Sequence, residues 1–155
     1  MKSILLILTI MFSACSIKNY EHVQSKIIII KSPKLKFADL GYLRNTQDAI
    51  ELELFVAGKV VEKFSINHLI CVDNGCMSKR NFNEDYLTSA YPDDLLQNIL
   101  LSKEIFGGQN RVQTLDGFEQ SIENNEVNIS YKVTTKSMEF KDRKNKIIFK
   151  IKDTK

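Results

Sequence analysis

Strict alternation of apolar and polar residues is clearest in residues 50–66. Ile50-Glu51-Leu52-Glu53-Leu54 sends every second side chain to one face, Ala57-Gly58 supplies a turn, and residues 59–66 alternate again. That pattern predicts a hairpin with one wet face and one apolar face. Upstream, Ile27-Ile28-Ile29-Ile30 is β-branched and only four residues long, which suits a buried strand better than a helix. Ser32-Pro33 breaks it, residues 34–37 and 38–43 resume as extended chain, and residues 44–48 form a turn. Downstream, residues 111–115, 117–122, 126–134, 138–141 and 146–152 are strand-like, with turns at Asn124-Asn125 and at 142–145. Residues 77–90 are mostly polar and follow no regular period.

One run departs from the two-residue period. After Tyr91-Pro92-Asp93-Asp94, the residues Leu95, Leu96, Ile99, Leu100, Ile105 and Phe106 recur at roughly helical spacing, and Gly107-Gly108 ends them. A proline and two acids suit a helix start, where the dipole favours negative charge. The order of elements predicts an α+β domain, mainly β. Its expected form is a curved antiparallel sheet or incomplete β-barrel, with one helix at about residues 92–106 across the open face. Such a shape either encloses an apolar cavity or is filled by side chains.

The first residues need separate treatment. Lys2 is followed by an apolar run over residues 4–12 and then by Ser13-Ala14-Cys15. A basic start, a short apolar core and a small-residue cleavage site make an export signal, too short for a permanent membrane span. Phe12-Ser13-Ala14-Cys15 resembles the lipobox of bacterial lipoproteins, with Phe12 at the place usually held by leucine. The resemblance implies that the Cys15 thiol receives a diacylglycerol and becomes the acylated first residue of the mature chain. Residues 1–14 are then the signal peptide, 15–25 a polar lipidated tether, and 26–155 a single domain. Two or more acyl chains anchor a protein stably where one does not. Ser16, instead of the aspartate that retains lipoproteins at the inner membrane in enteric bacteria, points to the outer membrane, facing the periplasm.

Charge and chemistry narrow the function further. Loss of Lys2 with the signal lowers the formal net charge from +3 to +2, too mild for a nucleic-acid binder. Export puts Cys71 and Cys76 in an oxidising compartment. Asn74-Gly75 between them is a turn signal, so a hairpin disulfide is the favoured reading. A metal site is the weaker one, since two thiolates need further ligands and the histidines are His22 and His68. No nucleophile elbow or phosphate loop is present, and the carboxylate pairs Asp93-Asp94 and Glu84-Asp85 fit a helix start and a polar loop. The chain is read as a non-enzyme without a cofactor. Glu126-Val127-Asn128-Ile129-Ser130 contains an Asn-x-Ser sequon, with the acid at the place used by some bacterial glycosylation systems, making Asn128 a candidate acceptor.

Three stretches resemble LolB, the outer-membrane receptor for lipoproteins delivered by a periplasmic carrier. These are residues 41–66 as its early strands, Tyr91-Pro92-Asp93-Asp94-Leu95-Leu96-Gln97-Asn98-Ile99-Leu100 as its mid-chain helix, and Met138 to Asp142 with Lys146 to Ile151 as its closing strand pair. The resemblance implies a half-barrel that holds acyl chains and assists their insertion, with a periplasmic lipoprotein carrier or another envelope protein as partner. It also implies an apolar residue on a loop between early strands that touches the membrane. Asn67-His68-Leu69-Ile70 falls there, making Leu69 the candidate, with Ile70 beside it. The alternative is a structural or assembly lipoprotein that binds another envelope protein and has no ligand cavity.

Overall fold

The computed structural model describes residues 22–46 and 48–154, with His22 described by its backbone alone. Cys15, the expected signal peptide and most of the expected tether lie outside the described residues. The strands are β1 His22–Lys31, β2 Lys36–Asn45, β3 Ile50–Val56, β4 Lys59–Ile66, β5 Leu69–Val72 and β6 Gly75–Ser78. After two helices, α1 Lys79–Tyr86 and α2 Leu95–Leu100, come β7 Arg111–Gln113, β8 Gly117–Glu123, β9 Asn128–Thr134, β10 Ser137–Asp142 and β11 Ile147–Asp153. They form one antiparallel 11-stranded sheet in the order β6-β5-β4-β3-β2-β1-β11-β10-β9-β8-β7. The sheet stays open and is not closed into a barrel.

The hairpin read from residues 50–66 is β3 and β4, turning at Ala57 and Gly58, both with positive φ (50° and 79°). Such a pair of left-handed residues matches the twist of the flanking strands. β1 begins at His22, inside the stretch expected as tether (residues 15–25), and pairs residue by residue with β2 from that point.

Two helical expectations need correction. The run 92–106 is not one helix: α2 ends at Leu100. Ser102 takes a left-handed φ of 54°, its N–H donates to the Ile99 carbonyl, and the Lys103 N–H donates to the Asn98 carbonyl. That closure stops a helix as a glycine would, without a glycine in the sequence. Residues 77–90, assigned no element, contain the whole of α1. Its signal is Ser78, whose hydroxyl accepts from the Asn81 N–H and caps the first turn, while Phe82 and Tyr86 stack one turn apart at 4.6 Å.

Inward-facing residues of nearly every strand form a single core with the two helices. Ile28, Leu52, Phe64, Tyr131, Phe140 and Phe149 meet Phe82, Leu95, Leu96 and Ile99 there. Aromatic rings link it across strands: Phe140 lies edge-on to Tyr91, Tyr131 and Phe149. Gly117 allows the tightest crossing, since any Cβ would collide with the Val133 carbonyl of the neighbouring strand.

Candidate functional site

The inner face of the open sheet carries most of the core, and among the described residues what covers it is one connecting segment, residues 79–108. This segment holds α1, α2 and a short 3-10 turn at Phe106–Gly108. Its side chains plug the interior. The gap left among Ile30, Leu35, Leu52, Phe64, Phe82, Leu96 and Phe149 amounts to about 10 Å³, too small for a ligand.

Four buried polar side chains tie the plug down. The Tyr91 hydroxyl donates to Asp142 Oδ2 at 2.8 Å. Asn83 Nδ2 donates to the Tyr91 and Pro92 carbonyls at 3.3 and 2.9 Å. Gln120 accepts from the Ile105 N–H at 2.9 Å and donates to the Ile105 and Gln109 carbonyls at 3.0 and 2.8 Å. The Tyr131 hydroxyl donates to the Lys103 carbonyl at 2.9 Å. Together these bonds tie main-chain groups of the connecting segment, and the buried Tyr91 and Tyr131 hydroxyls, to fixed partners.

Asp142 is fully buried and also accepts from the N–H groups of Asn128, Lys144 and Asn145 and from Asn145 Nδ2. Burial alone would raise its carboxyl; the hydrogen bonds from Asn145, Asn128 and Tyr91 outweigh that and hold it below the usual carboxylate range. Burial, reinforced by Asp142 as hydrogen-bond acceptor and neighbouring charge, drives the Tyr91 phenol well above its ordinary value.

At one end of the sheet the plug leaves a cleft of about 270 Å³. Its floor is apolar and continuous with the core through Leu43, Leu100, Met138 and Ile151, while Gln24, Lys26, Asn45, Lys136 and Asp153 form a polar rim. Lys26 is ion-paired to Asp153 there. At the opposite end the β3–β4 hairpin carries Val56, Val60 and Val61, each about half exposed.

Leu69 and Ile70 are not on a projecting loop. They begin β5, after a turn of only Asn67 and His68, in which Asn67 Oδ1 accepts from the Leu69 N–H. Ile70 is 1% exposed and belongs to the core, so it cannot touch a membrane, and Leu69 is half-buried in the strand. Cys71 and Cys76 face each other across β5 and β6 and are disulfide-bonded. The turn is Asp73-Asn74, with Gly75 (φ 125°) opening β6. Among the described residues no group of three or more His, Cys, Asp and Glu could hold a metal.

Asn128 opens β9, half-buried, with Nδ2 donating to Glu123 and Oδ1 accepting from Arg143. Its carboxamide is thus engaged on both sides. The plug clamps Asn83, Gln120 and Asp142 were not singled out beforehand; polar residues at inward positions of alternating strands, as Gln120 and Asp142 are, would have been the signal. The chain matches no family model, no curated protein and no solved structure.

Proposed function

We propose that this chain is an outer-membrane lipoprotein that binds the acyl chains of incoming lipoproteins and assists their insertion, in the manner of the LolB family. The observation that carries the proposal is the way the apolar inner face is covered. Among the described residues one connecting segment, and no second sheet, closes an open 11-stranded trough. An acyl chain offers the same apolar contacts that Leu95, Leu96, Ile99 and Phe82 make, at roughly 0.8 kcal/mol for each buried methylene. It can therefore displace the plug, whose polar clamps exchange for water.

The cleft at the α2 end supplies an entrance with an apolar floor and a polar rim, suited to an amphiphile. The membrane-contact role belongs to the β3–β4 hairpin, where Val56, Val60 and Val61 are exposed, and not to Leu69 and Ile70. Acylated Cys15 keeps the domain at the membrane.

Two measurements test this. Intact mass of membrane-extracted protein should show cleavage before Cys15 and an added diacylglycerol; an unmodified cysteine sinks the anchor. Carrier-bound lipoprotein should be released onto vesicles in the presence of the chain, and Val60→Glu with Val61→Glu should slow that release. Unchanged transfer removes the hairpin role. One observation favours a second reading, an envelope scaffold: the interior is filled by side chains in this closed state. A scaffold would bind no fatty acid under any condition and would copurify with a stoichiometric envelope protein.

A further inference from the structure

The outer face of the sheet is not uniform. On β1 and β2 its outward positions include Val23, Ile27, Ile29, Ala38, Leu40 and Tyr42 beside Ser25 and Arg44, with Ile27 opposite Leu40 and Ile29 opposite Ala38. Ile27, Leu40 and Tyr42 are 43%, 47% and 38% exposed. Phe55 of β3 continues the surface, edge-on to Tyr42 at 5.2 Å and paired with Val60 of β4. Around this apolar strip stand Lys31, Lys36, Lys141 and Lys152, exposed and carrying no ion pair among the described residues. The acids of the same face are neutralised: Glu51 and Glu53 meet Lys63, Glu53 also meets Arg44, and Glu139 meets Lys150. Asp39 alternates to the other side of β2.

We infer that this outer face of β1, β2 and β3 lies against an anionic lipid bilayer, so that the domain rests on its side. The inference rests on the lipid anchor proposed above and is independent of acyl-chain binding in the interior. Charge complementarity is one support: apolar side chains ringed by unpaired lysines match an anionic leaflet. Chain length is the other. Cys15 lies seven residues before His22, and seven residues reach at most about 25 Å. β1 then runs about 30 Å from His22 to Lys31, and the β3–β4 tip stands at the Lys31 end. To bring both anchor and tip to one surface, an upright domain would need those seven residues stretched almost fully, because the tip stands level with Ile29, about 23 Å along β1 from His22. A domain on its side brings both, and the face it turns down is the apolar one with the free lysines.

The test places a spin label on Ala38→Cys in the mature chain, where Cys71 and Cys76 are paired and Cys15 is acylated, leaving one free thiol. A second label at Ser121→Cys sits on the outer face of β8, five strands further along the sheet. In vesicles of phosphatidylcholine mixed with phosphatidylglycerol, the Ala38 label should collide with oxygen in preference to a water-soluble relaxant. The Ser121 label should stay in water. Each lysine near an anionic leaflet is worth about fivefold in binding, so Lys31→Ala with Lys36→Ala should lower the docked population ratio by roughly 25-fold. An Ala38 label that stays in water on anionic vesicles overturns the inference, as does one that is shielded only after another envelope protein is added. Equal immersion of both labels overturns it too. Failure of the chain to float with phosphatidylcholine vesicles would instead count against the anchor at Cys15.

Discussion

The two halves of the sheet solve the same problem differently. On β8, β9 and β10 the alternation is clean: Phe118, Gln120, Ile122, Ile129, Tyr131, Val133, Met138, Phe140 and Asp142 point inward and are buried, while Glu119, Ser121, Ser130, Lys132, Glu139 and Lys141 are exposed. Opposite charges pair across that outer surface, Lys132 with Glu119 and Lys150 with Glu139. On β1 and β2 the inward positions mix the core residues Ile28, Ile30, Phe37 and Leu43 with Gln24, Lys26, Asp39 and Asn45, while the outward ones include Val23, Ile27, Ile29, Ala38, Leu40 and Tyr42. One half is finished toward water. The other retains an apolar outer surface that the described residues leave uncovered, and a contiguous patch of that kind marks a contact surface.

If this contrast is right, inward and outward substitutions separate widely. Phe140→Ala, at 0% exposure among Tyr91, Tyr131 and Phe149, should cost about 3–5 kcal/mol in urea unfolding. Next comes Asp142→Ala, which strands the Tyr91 hydroxyl and several N–H groups and should cost about 3 kcal/mol, with earlier proteolysis inside residues 79–108. Replacing both Cys71 and Cys76 by serine should lower stability by about 2 kcal/mol through the freed short loop, as reduction of the wild type should.

Acid provides a graded version of the Asp142 experiment. Because its folded-state carboxyl titrates below the unfolded value, its contribution is present above an unfolded pKa near 4, and is lost as pH falls through the lower folded value. Stability measured downward from pH ~5 should decline less steeply in Asp142→Asn than in the wild type. The smallest effect is expected outside: Leu40→Ser should change stability by less than about 0.5 kcal/mol while weakening docking to anionic vesicles. A large loss of stability in Leu40→Ser would erase the contrast between the two faces.

How much of this was legible beforehand varied with the strength of local signals. The β3–β4 hairpin could be bounded to the residue because its alternation is strict and Ala57-Gly58 admits the left-handed pair. α1 is faint in the sequence because only Phe82 and Tyr86 carry an apolar stripe in its eight residues, leaving Ser78 as its start signal. The end of α2 is hidden in the sequence because a serine, Ser102, takes the left-handed position that glycine usually holds. The order of elements alone puts Leu69 and Ile70 on a loop. The β4–β5 turn is too short to project anything, and Ile70 belongs to the core. The filled interior could not be foreseen, since identical inward residues line a cavity or close it depending on where the plug sits.

Whether that plug gives way is the central question, and a photoreactive fatty acid answers it most directly. After irradiation with the membrane-extracted chain, label should be found in peptides covering Leu95 to Leu100 and in the inward positions of β4 and β11, Phe64 and Phe149 among them. It should be displaced by a carrier-bound lipoprotein. Label confined to outward residues such as Leu40 and Ile27, or absent altogether, would contradict acyl-chain binding and leave the domain as a scaffold.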